Sequence, residues 1–492
     1  MASNISIHNF SYNELQKLVF NNNVQSCMQI HYFFNYLERL SAKSIIVENS
    51  YIDRHYIQEY QKYYSLCFDS KSNKCKRLHF FSEDISEDNF DQCLIDKNYS
   101  DKILKNNYLG FMNIRPINSV PIGRTVLVTI NKIDSQERIF TTTTYPVHLA
   151  GIELWVDGLA FQQQDMAVGA CATTAIWASL QKVCKDNGKR AVTPLDITTN
   201  GTKYFITAGR EFPASDGLTL EQCLEAIRGS GFAPHLLKAD SNLRLFRESI
   251  KININSGIPA VLLMQRVSDG VGHAVCIVGY KETDQYIPFF SENDIKIFSS
   301  DINKIYIHDD RLGSYARATL YEIDDQKRLK LMLKLSLPGG IEEEWIVKHV
   351  IFPLYEKIRT DEVDQVVRLT HFVKFFGYLL KKINLKNINY YSDTCIIKSG
   401  DILSKIISAE QLPKSEKIQF LKTIHLPRYV GFSNIYFKET DKLIPLFSLL
   451  YDTTDFVRDR SDCFSGLLGI VCHQDFVREL MSRLHLQNIV IL

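Results

Sequence analysis

Three stretches of this chain set a thiol, an imidazole and a carboxylate where regular elements begin or end. The first is Gln162-Gln-Gln-Asp-Met-Ala-Val-Gly-Ala-Cys171-Ala-Thr-Thr-Ala-Ile-Trp. Cys171 falls where a Gly-containing loop enters an apolar helix, and a thiol at a helix N-terminus is favoured as thiolate by unpaired N–H groups and the positive end of the dipole. Small neighbours (Gly169, Ala170, Ala172) leave room for a carbonyl to approach the sulfur. A glutamine just upstream could give one amide donor to an oxyanion and the Cys171 backbone N–H a second. The competing reading is a small residue packed in a buried helix.

The second stretch, Gly270-Val-Gly-His273-Ala-Val-Cys-Ile-Val-Gly-Tyr280, opens an apolar strand with a histidine after a Gly-rich turn. Alternation puts His273, Val275, Ile277 and Gly279 on one face. Such a histidine is either a base facing a cleft or a satisfied strand-end side chain. The third, Lys304-Ile-Tyr-Ile-His308-Asp309-Asp310-Arg-Leu-Gly313, ends a short strand in acidic residues. A carboxylate there can hold the tautomer and orientation of the histidine. A solvated acidic turn is the plainer alternative, and His308-Asp309-Asp310 as a metal site lacks a second ligand cluster.

These elements need a scaffold. Ala170–Asp186 has the strongest helical pattern, with Ile176, Leu180 and Val183 on one stripe and Gly188 as its stop. Helices are expected over Leu220–Arg228 and Leu243–Ile254. Strands are expected over Ala260–Met264, His273–Tyr280, Lys304–His308 and Ala316–Ile323. Upstream, helical spacing covers residues 12–19, 29–40 and 53–64. Asp69–Asp101 reads as a loop or insertion, and 123–130 with 138–145 as a hairpin. From Arg328 on the chain reads as mostly helical, for example Asp361–Leu380 and Asp475–Leu484, with Pro338-Gly-Gly as the hinge into it.

Gln…Cys at a helix start, Gly-His opening an apolar strand that ends in Gly-Tyr, and strand–Asp–turn–Gly, in that order, resemble the papain-like cysteine peptidases. Within them the match is most similar to the bacteriocin-processing branch. The resemblance covers about Gln162–Ala318, a third of the chain. It implies an α+β fold: a papain-like catalytic domain, with a Cys-bearing helix packed on an antiparallel sheet that carries His and Asp. That domain would span residues 146–325, between a mixed N-terminal region (1–145) and a mostly helical C-terminal region (326–492). Cys171 is then the nucleophile, His273 the general base and acid, Asp309 the orienting carboxylate, and Gln164 the oxyanion-hole amide. Gln163 competes with Gln164, and Asp310 with Asp309. The long interval between His273 and Asp309 departs from the family pattern, and Lys281–Asn303, with Phe289-Phe290, reads as an insertion over the cleft. The branch's transporter is also missing, so its export role is not carried over.

Composition bounds the rest. The chain has 492 residues, too many for one ordinary domain. Its 57 basic and 56 acidic residues leave a net charge of +1, which gives no electrostatic footprint for nucleic acid. No apolar run approaches the roughly 18–20 residues of a membrane span, and no leader pattern opens the chain. Eleven cysteines without a Cys-x-x-Cys pair suit a reducing, cytoplasmic setting, with neither a disulfide framework nor a zinc ribbon. No phosphate-binding glycine run is present, and no cofactor or metal is expected. The expectation is thus a cytoplasmic cysteine peptidase acting on a peptide or protein, with flanking regions that select the substrate or bind a regulatory partner. A papain-like acyltransferase, deamidase or isopeptidase uses the same groups, and an inactive binding protein is the rival from another class.

Overall fold

The computed structural model describes residues 4–20, 27–69, 71–132, 138–165, 167–204, 217–240, 242–292, 295–325, 328–382, 389–408, 413–439, 442–455, 462–484 and 490–491. Among them strand exceeds helix, 40% to 35%. Two compact units emerge: Met1–Asp240 with Gly257–Lys281 and Asn303–Pro353, and Ser241–Ser256 with Glu282–Ile302 and Leu354–Leu492.

The first unit opens with an antiparallel sheet of β1 (Ile5–Asn9), β2 (Ser44–Tyr51), β3 (Cys75–Phe81), β4 (Tyr108–Ile114) and β5 (Ile122–Leu127), paired in that order. Helices α1 (Tyr12–Phe20), α2 (Met28–Arg39), α3 (Arg54–Lys62), α4 (Glu87–Ile95) and α5 (Lys97–Ser100) lie between the strands in sequence. Asp53 caps α3, accepting the N–H groups of His55 and Tyr56 at 2.9 and 3.1 Å. Two expectations fail here. Asp69–Asp101 holds β3 and α4 rather than a loop, since Leu78, Phe80 and Phe81 are wholly buried. The hairpin expected of 123–130 with 138–145 does not form either. β5 pairs with β4, β6 (Ile139–Phe140) pairs elsewhere, and β7 (Thr143–Leu149) makes its own hairpin with β8 (Ile152–Gly158). Residues 133–137 of the intended turn lie outside the described residues.

Next come α6 (Cys171–Asp186), α7 (Pro194–Thr202), α8 (Leu220–Gly229) and β9 (Ala233–Lys238). Ile176, Leu180 and Val183 of α6 have no exposed surface, and Gly188 stands beyond its end at φ +67°. α9 (Leu243–Asn255) follows.

The papain-like layout is not what the chain builds. β10 (Ala260–Arg266), β11 (Gly272–Glu292), β12 (Ile295–Asp309), β13 (Gly313–Asp325), β14 (Arg328–Ser336) and β15 (Glu342–Leu354) close into a six-strand antiparallel barrel, β15 returning to pair with β10. The closing strands lie in the stretch read as helical. Their pattern, Arg328-Leu-Lys-Leu-Met-Leu-Lys-Leu-Ser, is period two, and Leu331, Leu333 and Leu335 are buried on one face. Pro338-Gly-Gly is not a hinge but the tight turn joining β14 to β15, with Gly339 and Gly340 at φ +87° and +79°. The described residues of Lys281–Asn303, the stretch read as an insertion, are the far ends of β11 and β12.

The second unit is also strand-rich rather than mostly helical. β16 (Asn389–Lys398), β17 (Tyr429–Glu439), β18 (Lys442–Asp452) and β19 (Leu467–Cys472) form consecutive antiparallel pairs, and the short β20 (Val490–Ile491) runs parallel to β19. The helices expected at Asp361–Leu380 and Asp475–Leu484 exist, as α10 (Glu362–Lys382) and α13 (Asp475–Ser482), with α11 (Ser399–Ser408) and α12 (Lys414–Thr423) between. Phe372, Val373 and Phe376 of α10 pack with Tyr390, Ile435 and Phe447 in one core. No helix among the described residues is long and apolar enough to cross a membrane.

Candidate active site

All four sequence-selected residues belong to the first unit. Cys171 is the first residue of α6. The preceding Ala170 is extended (φ −82°, ψ 173°) and makes no side-chain cap of the helix. Thr174 Oγ1 bonds back to the Cys171 carbonyl at 2.9 Å.

The loop before the thiol is tied down residue by residue. Gln162 Nε2 donates to Glu59 Oε1 at 3.3 Å. Gln163 accepts the Ile122 N–H on its side chain at 3.3 Å and the Arg115 guanidinium on its carbonyl at 3.0 Å. Asp165 Oδ1 takes the N–H groups of Ala167, Val168 and Gly169 at 3.1, 2.9 and 2.6 Å, while its Oδ2 accepts the Tyr64 hydroxyl at 2.7 Å. Two of the three glutamines are thus engaged in structure. Gln164, partly exposed, lines a cavity of about 540 Å³ together with Cys171 and His273.

His273 lies at the start of β11, opposite Met264 of β10. Its Nε2 is 3.1 Å from Asp309 Oδ1, and its ring shares the wall of that cavity with Cys171. With Nε2 taken by the carboxylate, Nδ1 is the nitrogen left for the thiol. Asp309 ends β12 through a bulge, paired with Gly313 across the turn. A Cβ at Gly313 would stand 2.5 Å from the Tyr32 ring, which is why glycine occupies that turn.

Arg311 completes the group. Its backbone N–H donates to Asp309 Oδ1 at 3.0 Å and its Nη2 to Oδ2 at 3.1 Å, while Nη1 reaches Glu343 at 3.0 Å. The guanidinium lies 4.9 Å from the centroid of the Trp345 ring, itself 5.5 Å from the His273 ring. Burial alone would lower the His273 pKa. The Asp309 charge and hydrogen bond, the Cys171 hydrogen bond and the Asp310 charge outweigh it and hold the imidazole well above its ordinary value. Burial alone would raise Asp309, but His273 and then Arg311 hold it well below the usual carboxylate range.

The neighbouring acids separate cleanly. Asp310 Oδ1 is 3.6 Å from His273 Nε2, outside hydrogen-bond range, and Asp309 is the carboxylate bonded to the ring. His308 turns away, packed edge-on against Phe161 and Tyr315, and burial lowers it to about 3. The group His308-Asp309-Asp310 therefore does not form. His273 joins the two acids instead, with ligand atoms within 4.8 Å of one another. Arg311 already supplies a cation to Asp309, so the donors fit an internal ion pair.

Arg311, Glu343 and Trp345 were not anticipated. Arg311 stood in plain sight two residues after Asp309. Glu343 and Trp345 sit on β15, in the region read as helical. No protein-family model matches the chain, and no curated protein matches it in sequence.

Proposed function

We propose that this chain is a cysteine peptidase, a thiol hydrolase that cleaves a peptide or protein amide through a thioester. The observation that carries the reading is the His273 imidazole bonded to a buried, Arg311-clamped Asp309, with both Cys171 and His273 on the wall of one cavity. His273 holds the Cys171 proton as imidazolium, and the thiolate sulfur adds to the amide carbon. The carbonyl oxygen, now anionic, takes hydrogen bonds from Gln164 Nε2 and the Cys171 N–H. Collapse breaks the C–N bond, and the imidazolium gives its proton to the leaving amine. Water, deprotonated by His273, then attacks the thioester and releases the acid and the thiol. A reducing, cytoplasmic setting suits this chemistry, since all eleven cysteines are free thiols.

The test is a peptide-library digest with full-length protein, read by mass spectrometry. Cleavage by wild type that disappears in Cys171→Ala and falls at least ~10²-fold in His273→Ala is expected. A Cys171→Ala protein that cleaves like wild type overturns the proposal. Covalent capture of an acyl group on Cys171 without free acid product would instead assign acyl transfer.

A further inference from the structure

We propose that Asp310 is a second positioning carboxylate for His273, whose negative charge favours the imidazolium of the reactive pair. This rests on the thiol-hydrolase reading above. Asp310 is 4% exposed, and neither of its side-chain oxygens has a hydrogen-bond donor. A buried carboxylate without donors is costly when ionised unless a cation stands close by.

Two cations are near, and one is committed. Arg311 spends its guanidinium on Asp309 Oδ2 and on Glu343. What remains is the His273 ring, with Nε2 at 3.6 Å from Asp310 Oδ1. The two carboxylates thus divide the work on one imidazole. Asp309 bonds the ring and fixes its orientation; Asp310 makes no bond and acts through its charge alone.

The groups around it bear this out. On its own turn are Asp309 and Arg311; on β11 is His273; on β15, Glu343 lies behind Arg311. On α2, Gln29 donates to the Asp310 main-chain carbonyl and the Tyr32 hydroxyl donates to the Ser314 carbonyl, so neither serves the carboxylate. Cys171 on α6 lines the same cavity as the ring. Burial, reinforced by the Asp309 charge, raises the Asp310 carboxyl against the pull of His273. Its proton and that of the imidazole are therefore linked: when Asp310 is protonated the ring loses part of its counter-charge, and the thiolate loses part of its imidazolium.

The experiment follows the iodoacetamide alkylation rate of Cys171 between pH 4 and 9 by peptide mass spectrometry, in full-length wild type, Asp310→Asn and Asp309→Asn. The acid-side midpoint should rise by about one pH unit in Asp310→Asn, a shift that a purely packing role would not produce. Asp309→Asn should also depress the maximal rate, because ring orientation is lost. Should Asp310→Asn fail to fold, ¹³C-carboxyl NMR of wild type replaces it, with the Asp310 signal expected to titrate above the ordinary aspartate range. Superimposed profiles for Asp310→Asn and an acid-reactive wild type, or a carboxyl signal titrating in the ordinary range, overturn this proposal alone. A wild-type midpoint near the ordinary thiol value of about 8.5 overturns the hydrolase reading and this one together.

Discussion

At His273 the ring is useful only if its proton is held at one nitrogen and its other nitrogen faces sulfur, and that depends on Asp309 staying ionised inside the protein. His273 keeps it so first and Arg311 second, the latter through two contacts with the carboxylate and a third with Glu343. Arg311→Met keeps the length of the side chain but removes the cation. It should cost about 3 kcal/mol, because a buried carboxylate loses its partner. Chemical denaturation of wild type and variant measures this, and an unchanged midpoint would show that the imidazolium alone suffices. The thiol can be addressed separately from its neighbours. Burial pushes Cys223 and Cys472 up to about 12, so neither competes for an alkylating agent at neutral pH.

At the scale of elements, the loop from Gln162 to Ala170 decides where sulfur and amide donor stand. Its anchor is Asp165, which satisfies three successive N–H groups and the Tyr64 hydroxyl with one carboxylate. Asp165→Ala leaves those donors without an acceptor in a buried setting, at a cost of about 2–4 kcal/mol. Faster amide exchange at Val168 and Gly169, with α13 unaffected, would mark the loss as local; uniform exchange would contradict it. Gly313→Val probes the turn on the other side, where the new Cβ meets Tyr32 and should cost about 1–3 kcal/mol in thermal stability. Legibility followed the range of the forces. The α6 start at Cys171, the β11 start at His273 and the acidic end of β12 were readable, because each is marked by local glycine and apolar patterning. The anchoring of Gln162 by Glu59 and of Gln163 by Ile122 was not, because both partners lie far away in sequence.

At the scale of the molecule, the same limit explains the barrel. Its closure needs β15 against β10, roughly eighty residues apart, and pairing at that distance leaves no mark on either strand. β14 itself does carry a local mark, the alternation of Leu329, Leu331, Leu333 and Leu335. The first unit also carries a global acid sensitivity. His55, His79 and His308 are buried, and desolvation lowers the first two to about 4 and the third to about 3. In the unfolded chain each takes its proton near pH 6.5. Between that value and the folded one the unfolded state binds more protons, so stability falls as pH drops from about 6.5 toward 4. His308 has aromatic rings on two sides and neither ring nitrogen hydrogen-bonded, so His308→Leu removes the titration while keeping an apolar filler. Thermal melts across that range should show the variant gaining on wild type by about 2 kcal/mol at pH 5, with little difference at pH 8. Parallel curves for the two proteins from pH 8 to pH 5 would mean that the His308 ring is not the group whose protonation opens this unit.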